Sequence, residues 1–170
     1  MPLDLLAVAG LDWVLQCKTC PNLCTRHRSR SYVHNSQHLM AIEFLNPEGL
    51  AKPVAYYSHL AVVPAGFKQL VLAGQVGNRL DGSFPDSIDE QFEQAITNII
   101  TILASQGATA RDVVKVTCYL AERPESYARI GKALRAAFRE PPPAQTFLIV
   151  AGLALPSLKV EIDVYAAVPG

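Results

Sequence analysis

The side chains of this 170-residue chain that could do chemistry fall in two places. In the run from Pro143 to Tyr165, P-A-Q-T-F-L-I-V-A-G-L-A-L-P-S-L-K-V-E-I-D-V-Y, two strand-like segments flank a turn. Each offers one polar side chain, Gln145 or Asp163. A carboxylate can take a proton from water, whereas an amide can hold a polar atom of a ligand but brings no charge. Near the other end, Cys17, Cys20, Cys24 and His27 spell C-x2-C-x3-C-x2-H, a ligand set that could enclose zinc. The spacing matches no established zinc or iron–sulfur pattern, so the expectation is no metal and no cofactor.

The rest of the chain must position these groups. With 50% hydrophobic and 18% charged residues, it has material for one ordinary core, and a single globular domain is expected. Formal net charge is zero, which gives no electrostatic reason to propose nucleic acid or an anionic membrane as a partner. No apolar run approaches the roughly 20 residues that span a bilayer. The opening MPLDLLAVAGLDWVLQ carries Asp4 and Asp12 and no basic residue, which argues against a secretory signal. The chain therefore reads as soluble and cytoplasmic. Residues 1–39 hold three of the four cysteines, three of the four histidines and the only tryptophan, and the basic, serine-rich stretch Thr25 to Ser31 has no strand or helix period around it. They read as a disordered extension, or as sequence upstream of a natural start at Met40, with the domain proper over 40–170.

From Met40 the text becomes regular. M-A-I-E-F-L reads as a short strand, Tyr56 to His59 as a loop or edge strand, and Phe67 to Ala73 as a strong strand closed by Gly74. A polar turn with Asp81-Gly82 at its centre follows, and together these suggest an opening hairpin. Asp86 to Gln106 reads as a helix because Phe92, Ala95, Ile96, Ile99, Ile102 and Leu103 recur along one face. Ser87 to Glu90 fits a capping box, and Gly107 a C-terminal stop. Asp112 to Leu120 alternates Val114, Val116, Cys118 and Leu120 with Lys115, Thr117 and Tyr119, so Cys118 points to the core and is not expected to react. Pro124 opens a second helix with Tyr127, Ile130, Leu134, Ala137 and Phe138 inside, and Pro141-Pro142-Pro143 ends it. Gln145 to Ala151 and Lys159 to Ala166 are the last strands, with Glu161, Asp163 and Tyr165 facing away from the apolar set. Two strand–helix–strand halves result, with both helices on one side of a single α+β sheet. The other face, with Lys115, Thr117, Tyr119, Glu161, Asp163 and Tyr165, is mixed enough for identical subunits to cover.

Tyr57-Ser58, Leu72-Ala73-Gly74-Gln75-Val76, Gly107-Ala108, Asp112 to Thr117, Pro143-Ala144 and Lys159 to Val164 occur in a characteristic order. Through them, residues 40–168 resemble the reactive-intermediate deaminase family, RidA or YjgF, also named L-PSP endoribonuclease. The resemblance implies a chorismate-mutase-like subunit, a homotrimer with the sheets inside, and a small-molecule cleft at each interface. It implies hydrolysis of an imine or enamine such as 2-aminoacrylate to a keto acid and ammonia, without metal or cofactor. An arginine after the Pro-Ala of the penultimate strand clamps the substrate carboxylate, and an acid on the last strand is associated with the attacking water. On this chain the acid falls on Asp163, the cleft tyrosine on Tyr57 and the strand-ending glycine on Gly74, while His59 is a cleft-rim or surface histidine. The arginine position falls on Gln145, followed by Thr146. A neutral amide lacks the charged fork of arginine, a loss of about 1.5–3 kcal/mol or 10- to 150-fold in carboxylate binding. The resemblance thus implies either a deaminase-type hydrolase of a specialised pathway that does not act on simple 2-imino acids, or a non-catalytic trimeric ligand-binding protein. The ribonuclease activity in the family name has no support from a neutral chain without a basic stripe.

Overall fold

Residues 41–138 and 140–170 are described by the computed structural model. The expectations for residues 1–39, including the cysteine and histidine set, lie outside the described residues. Among the described residues the order is β1 (Glu43–Leu45), β2 (Leu60–Val62), β3 (Phe67–Val71), β4 (Gln75–Val76), α1 (Ile88–Ser105), β5 (Val113–Leu120), α2 (Ala128–Phe138), β6 (Ala144–Ile149) and β7 (Val160–Pro169). None of these helices is long and apolar enough to cross a membrane.

The period-two pattern of β5 and β7 builds the centre of the molecule. Antiparallel register sets Val116 against Val164, Cys118 against Ile162 and Leu120 against Val160, so their side chains project from one face of the sheet. All six are fully buried. Phe92, Ala95, Ile99 and Leu103 of α1 and Ile130, Leu134 and Phe138 of α2 pack into the same cluster. Burying each large side chain contributes about 1.5–3 kcal/mol, which is why two amphipathic helices settle on this one face. The expected α+β sheet with helices on one side is what forms.

The strand order is β3-β7-β5-β6, with β4 pairing β7 beyond the end of β3. β5 and β6 are parallel, and the other pairs of this sheet are antiparallel. The opening differs from expectation. β1 pairs with β2 in a separate two-stranded sheet, while β3 pairs with β7 and does not close a hairpin with the first strand. A three-residue strand shows too little alternation to be read from sequence, so β2 escaped notice.

The helix ends differ too. Ser87 occupies the N-cap of α1, but its side chain makes no capping bond. The entry is held instead by Gln91, whose buried amide donates to the carbonyls of Pro85 (2.8 Å) and Ser157 (2.9 Å) and accepts from Lys159 N (2.9 Å). The capping box of the chain is at Thr109, whose hydroxyl accepts from Arg111 N while Asp112 accepts from Thr109 N, just ahead of β5. At the other end of α1, Gly107 adopts φ +68°, and the N–H groups of Gly107 and Ala108 donate to Ala104 and Leu103. That double bond closes the helix as a Schellman motif, as the glycine suggested. α2 begins at Ala128, not Pro124, because Pro124 is buried in the preceding loop and Ser126 Oγ accepts from Ala128 N at 3.2 Å. Tyr127 is consequently half-exposed, not inside the helix stripe.

Candidate functional site

The five expected site residues do not lie on one side of the sheet. Parallel pairing sets Gln145 beside Val116, Phe147 beside Cys118, and Thr146 beside Thr117. Gln145 and Phe147 therefore share the helix-covered face, whereas Thr146 shares the open face with Thr117 and Asp163, which are themselves paired.

On the covered side, Gln145 Nε2 lies 3.8 Å from Cys118 Sγ as its donor. Burial pushes the Cys118 thiol up to about 12, with the Gln145 amide opposing. This thiol is a packing group, as expected. Gln145 forms the inner wall of a cavity of about 590 Å³ between β6, α2 and the loop before β2, together with Tyr56, Tyr57, Tyr127, Arg135 and Phe147. Tyr57 reaches it because Ser58 is buried and anchored. Ser58 Oγ donates to Pro142 O at 2.7 Å and Ser58 N to Pro143 O at 3.1 Å, so the loop runs beside the start of β6 and bridges to Ala144. His59 meets the Tyr57 ring edge-on, with centroids 5.4 Å apart, and its Nε2 lies 3.0 Å from Ala51 O. It is an exposed residue beside Tyr57 and does not line the cavity. Over the mouth, the Arg135 guanidinium stands 4.7 Å from the centroid of Tyr56.

On the open face, Asp163 Oδ2 accepts from Tyr119 OH at 3.0 Å. The same bond, foremost, holds the Tyr119 hydroxyl above the ordinary tyrosine range, with burial and the charges of Asp163 and Glu161 adding to it. Thr146 Oγ1 accepts from Lys115 Nζ at 2.6 Å, and burial pushes the Lys115 ammonium down. Gly74 lies where the edge strand breaks between β3 and β4. A side chain there would collide with the Glu161 carboxylate, so Glu161 rests directly on the glycine backbone. Glu161 is the functional candidate that sequence reasoning passed over. Its signal was present: it shares the parity of Asp163 two residues on, and it pairs with Val76 across the edge. Unlike Asp163, it makes no hydrogen bond or ion pair within the described residues.

The chain therefore carries two candidate half-sites. One is an aromatic cavity with an amide and a guanidinium, and the other is a pair of carboxylates on the open face of β7. Because the sheet separates them, a single copy cannot apply both to one small molecule.

Comparison with known proteins identifies relatives of this chain. The family model described as endoribonuclease L-PSP matches residues 49–168. The RutC family protein YjgH of Escherichia coli is 30% identical over 124 residues, which cover 72% of this chain and 92% of that protein. A RutC family protein of Pyrococcus abyssi is 33% identical over 120 residues, 67% of this chain and 88% of the other. Among solved structures, the Rid family protein YyfB of Yersinia pestis, itself of unknown function, superposes with a TM-score of 0.67 at 30% identity. That match covers 76% of this chain and 100% of YyfB.

Proposed function

Because the chain belongs to the RidA/YjgF family, whose model is described as endoribonuclease L-PSP, we propose that it adds water to a reactive imine or enamine. The observation that carries this reading is the Glu161 carboxylate, unpartnered among the described residues, on the Gly74 backbone, beside an Asp163 oriented by Tyr119. A carboxylate so held takes a proton from water as the oxygen bonds to the imine carbon. The nitrogen gains protons, the C–N bond of the resulting carbinolamine breaks, and ammonia leaves a carbonyl product. Asp163 fixes the strand geometry and shares the negative field, and Tyr57 supplies a hydroxyl to the departing amine. Thr146, held by Lys115, lines the approach on the same open face.

In this reading the two half-sites come from neighbouring copies in a homotrimer whose open sheet faces turn inward. Leu148 and Tyr165 on that face are 43% and 42% exposed, apolar surface that a second copy would bury. Gln145 excludes tight capture of a carboxylate at the inner wall, so simple 2-imino acids are poor substrates. The same neutral residue supports a second reading, a trimeric ligand-binding protein without turnover.

The two separate experimentally. The full chain is mixed with benzaldimine generated in situ by oxidation of benzylamine, or with 2-iminopropanoate, and release of ammonia is timed. Acceleration of benzaldimine hydrolysis above that of 2-iminopropanoate is expected. Acceleration of neither, in wild type and in Gln145→Arg, leaves only the binding reading.

A further inference from the structure

The cavity between β6, α2 and the loop before β2 has a charge asymmetry that its aromatic walls do not explain. Its inner wall is the neutral Gln145, turned toward buried Cys118. Among the described residues its mouth carries one cation, Arg135 on α2, which is exposed and stacked on Tyr56. No carboxylate among the described residues lines the cavity. Glu140 is near enough to raise the Tyr56 hydroxyl, second to burial, but it stands outside the lining and forms no ion pair with Arg135 within the described residues. Two neighbouring arginine and lysine positions behave differently. Arg129 is engaged in a bidentate pair with Glu93, and Lys132, which shares an outer groove with Arg135, does not line this cavity.

An arginine stacked on a ring keeps its edge N–H groups free for a carboxylate, and the stack fixes the plane of the fork. Tyr57, Tyr127 and Phe147 offer ring contacts to a flat ligand, and Tyr127 already meets Phe147 edge-on at 5.9 Å. We propose that this cavity takes a planar, aromatic-sized anion whose carboxylate is bound at the mouth by Arg135, with its uncharged end against Gln145. This rests on the interface-site reading above and sharpens it: the substrate or ligand bears its carboxylate remote from the reacting carbon, not on the adjacent atom as in a 2-imino acid. Arg135 is then the specificity-determining residue of the site.

The test is binding, independent of turnover, with benzoate and its neutral isostere benzamide as probes on the full chain. Wild type is expected to bind benzoate at least about tenfold more tightly than benzamide by calorimetry, the factor of a charge-assisted bond over a neutral one. That preference should fall to near unity in Arg135→Gln, survive in part in Arg135→Lys, and persist in Lys132→Gln. Because the guanidinium is solvent-facing, the preference should also shrink between about 20 mM and 500 mM salt. No preference in wild type, an undiminished preference in Arg135→Gln, or an equal loss in Lys132→Gln overturns the proposal. If the preference behaves as stated while no imine is hydrolysed, the catalytic reading fails and this one stands. Hydrolysis of benzaldimine without any benzoate preference overturns this one and leaves the catalytic reading in place.

Discussion

Three side chains each make a separate prediction. Replacing Glu161 by Gln keeps its size against Gly74 but removes the base, so the rate of imine hydrolysis should fall by roughly 100- to 10,000-fold. Asp163→Asn should cost less rate, since Asp163 already accepts from Tyr119, and it should also lower the Tyr119 pKa. The sign follows from the donor being neutral. With its folded pKa raised, Tyr119 contributes stability that is complete below the ordinary tyrosine value of about 10 and is lost as pH climbs through the higher folded value. Ultraviolet titration of tyrosinate in wild type and Asp163→Asn reads this directly, and identical curves would count against it. Cys118, with its thiol pushed up to about 12, should stay unlabelled by iodoacetamide at neutral pH in the native protein, as peptide mass mapping can check. The direction of Asp163 was legible in sequence because its strand alternates cleanly. The direction of Gln145 was not, since it depends on a parallel pairing with Val116 that only the tertiary register sets.

At the scale of elements, two buried polar residues, Gln91 and Ser58, hold the candidate half-sites in place. Gln91 ties α1 to the loop before β7, and so sets where Lys159, and two residues later Glu161, enter the sheet. Gln91→Leu would leave two carbonyls and an N–H without partners in a buried place, so it should destabilise the fold by about 2–4 kcal/mol in denaturant unfolding. A loss under about half a kcal/mol would show that water replaces those bonds. Ser58→Ala removes one bond to Pro142 O, about 1 kcal/mol, and frees the loop that carries Tyr57, so benzoate binding should weaken with it. Long periodic elements such as α1, β5 and β7 were readable because many positions repeat one signal. β2 and the start of α2 were not, because three residues or a single proline give too little period to outweigh tertiary packing.

For the molecule as a whole, the proposed function requires more than one chain. Helices cover one face, and the face that bears Glu161, Asp163, Thr146 and Tyr119 is the one the proposed trimer would bury. Light scattering on the full chain should give three copies, and Leu148→Glu, which sets a charge in the face to be buried, should reduce the mass to one copy. The mixed character of that face was legible in the alternating strands, but the separation of Gln145 from the carboxylates was not. The most direct measurement joins two inactive variants. Glu161→Gln lacks the base, and Gln145→Trp fills the cavity, so neither homotrimer should hydrolyse benzaldimine. Refolded together at equal amounts, they should recover about one quarter of wild-type ammonia release, because random mixing gives that share of interfaces two intact halves. A mixture as inactive as its components, from trimers shown to have exchanged subunits, would contradict a site built from two copies.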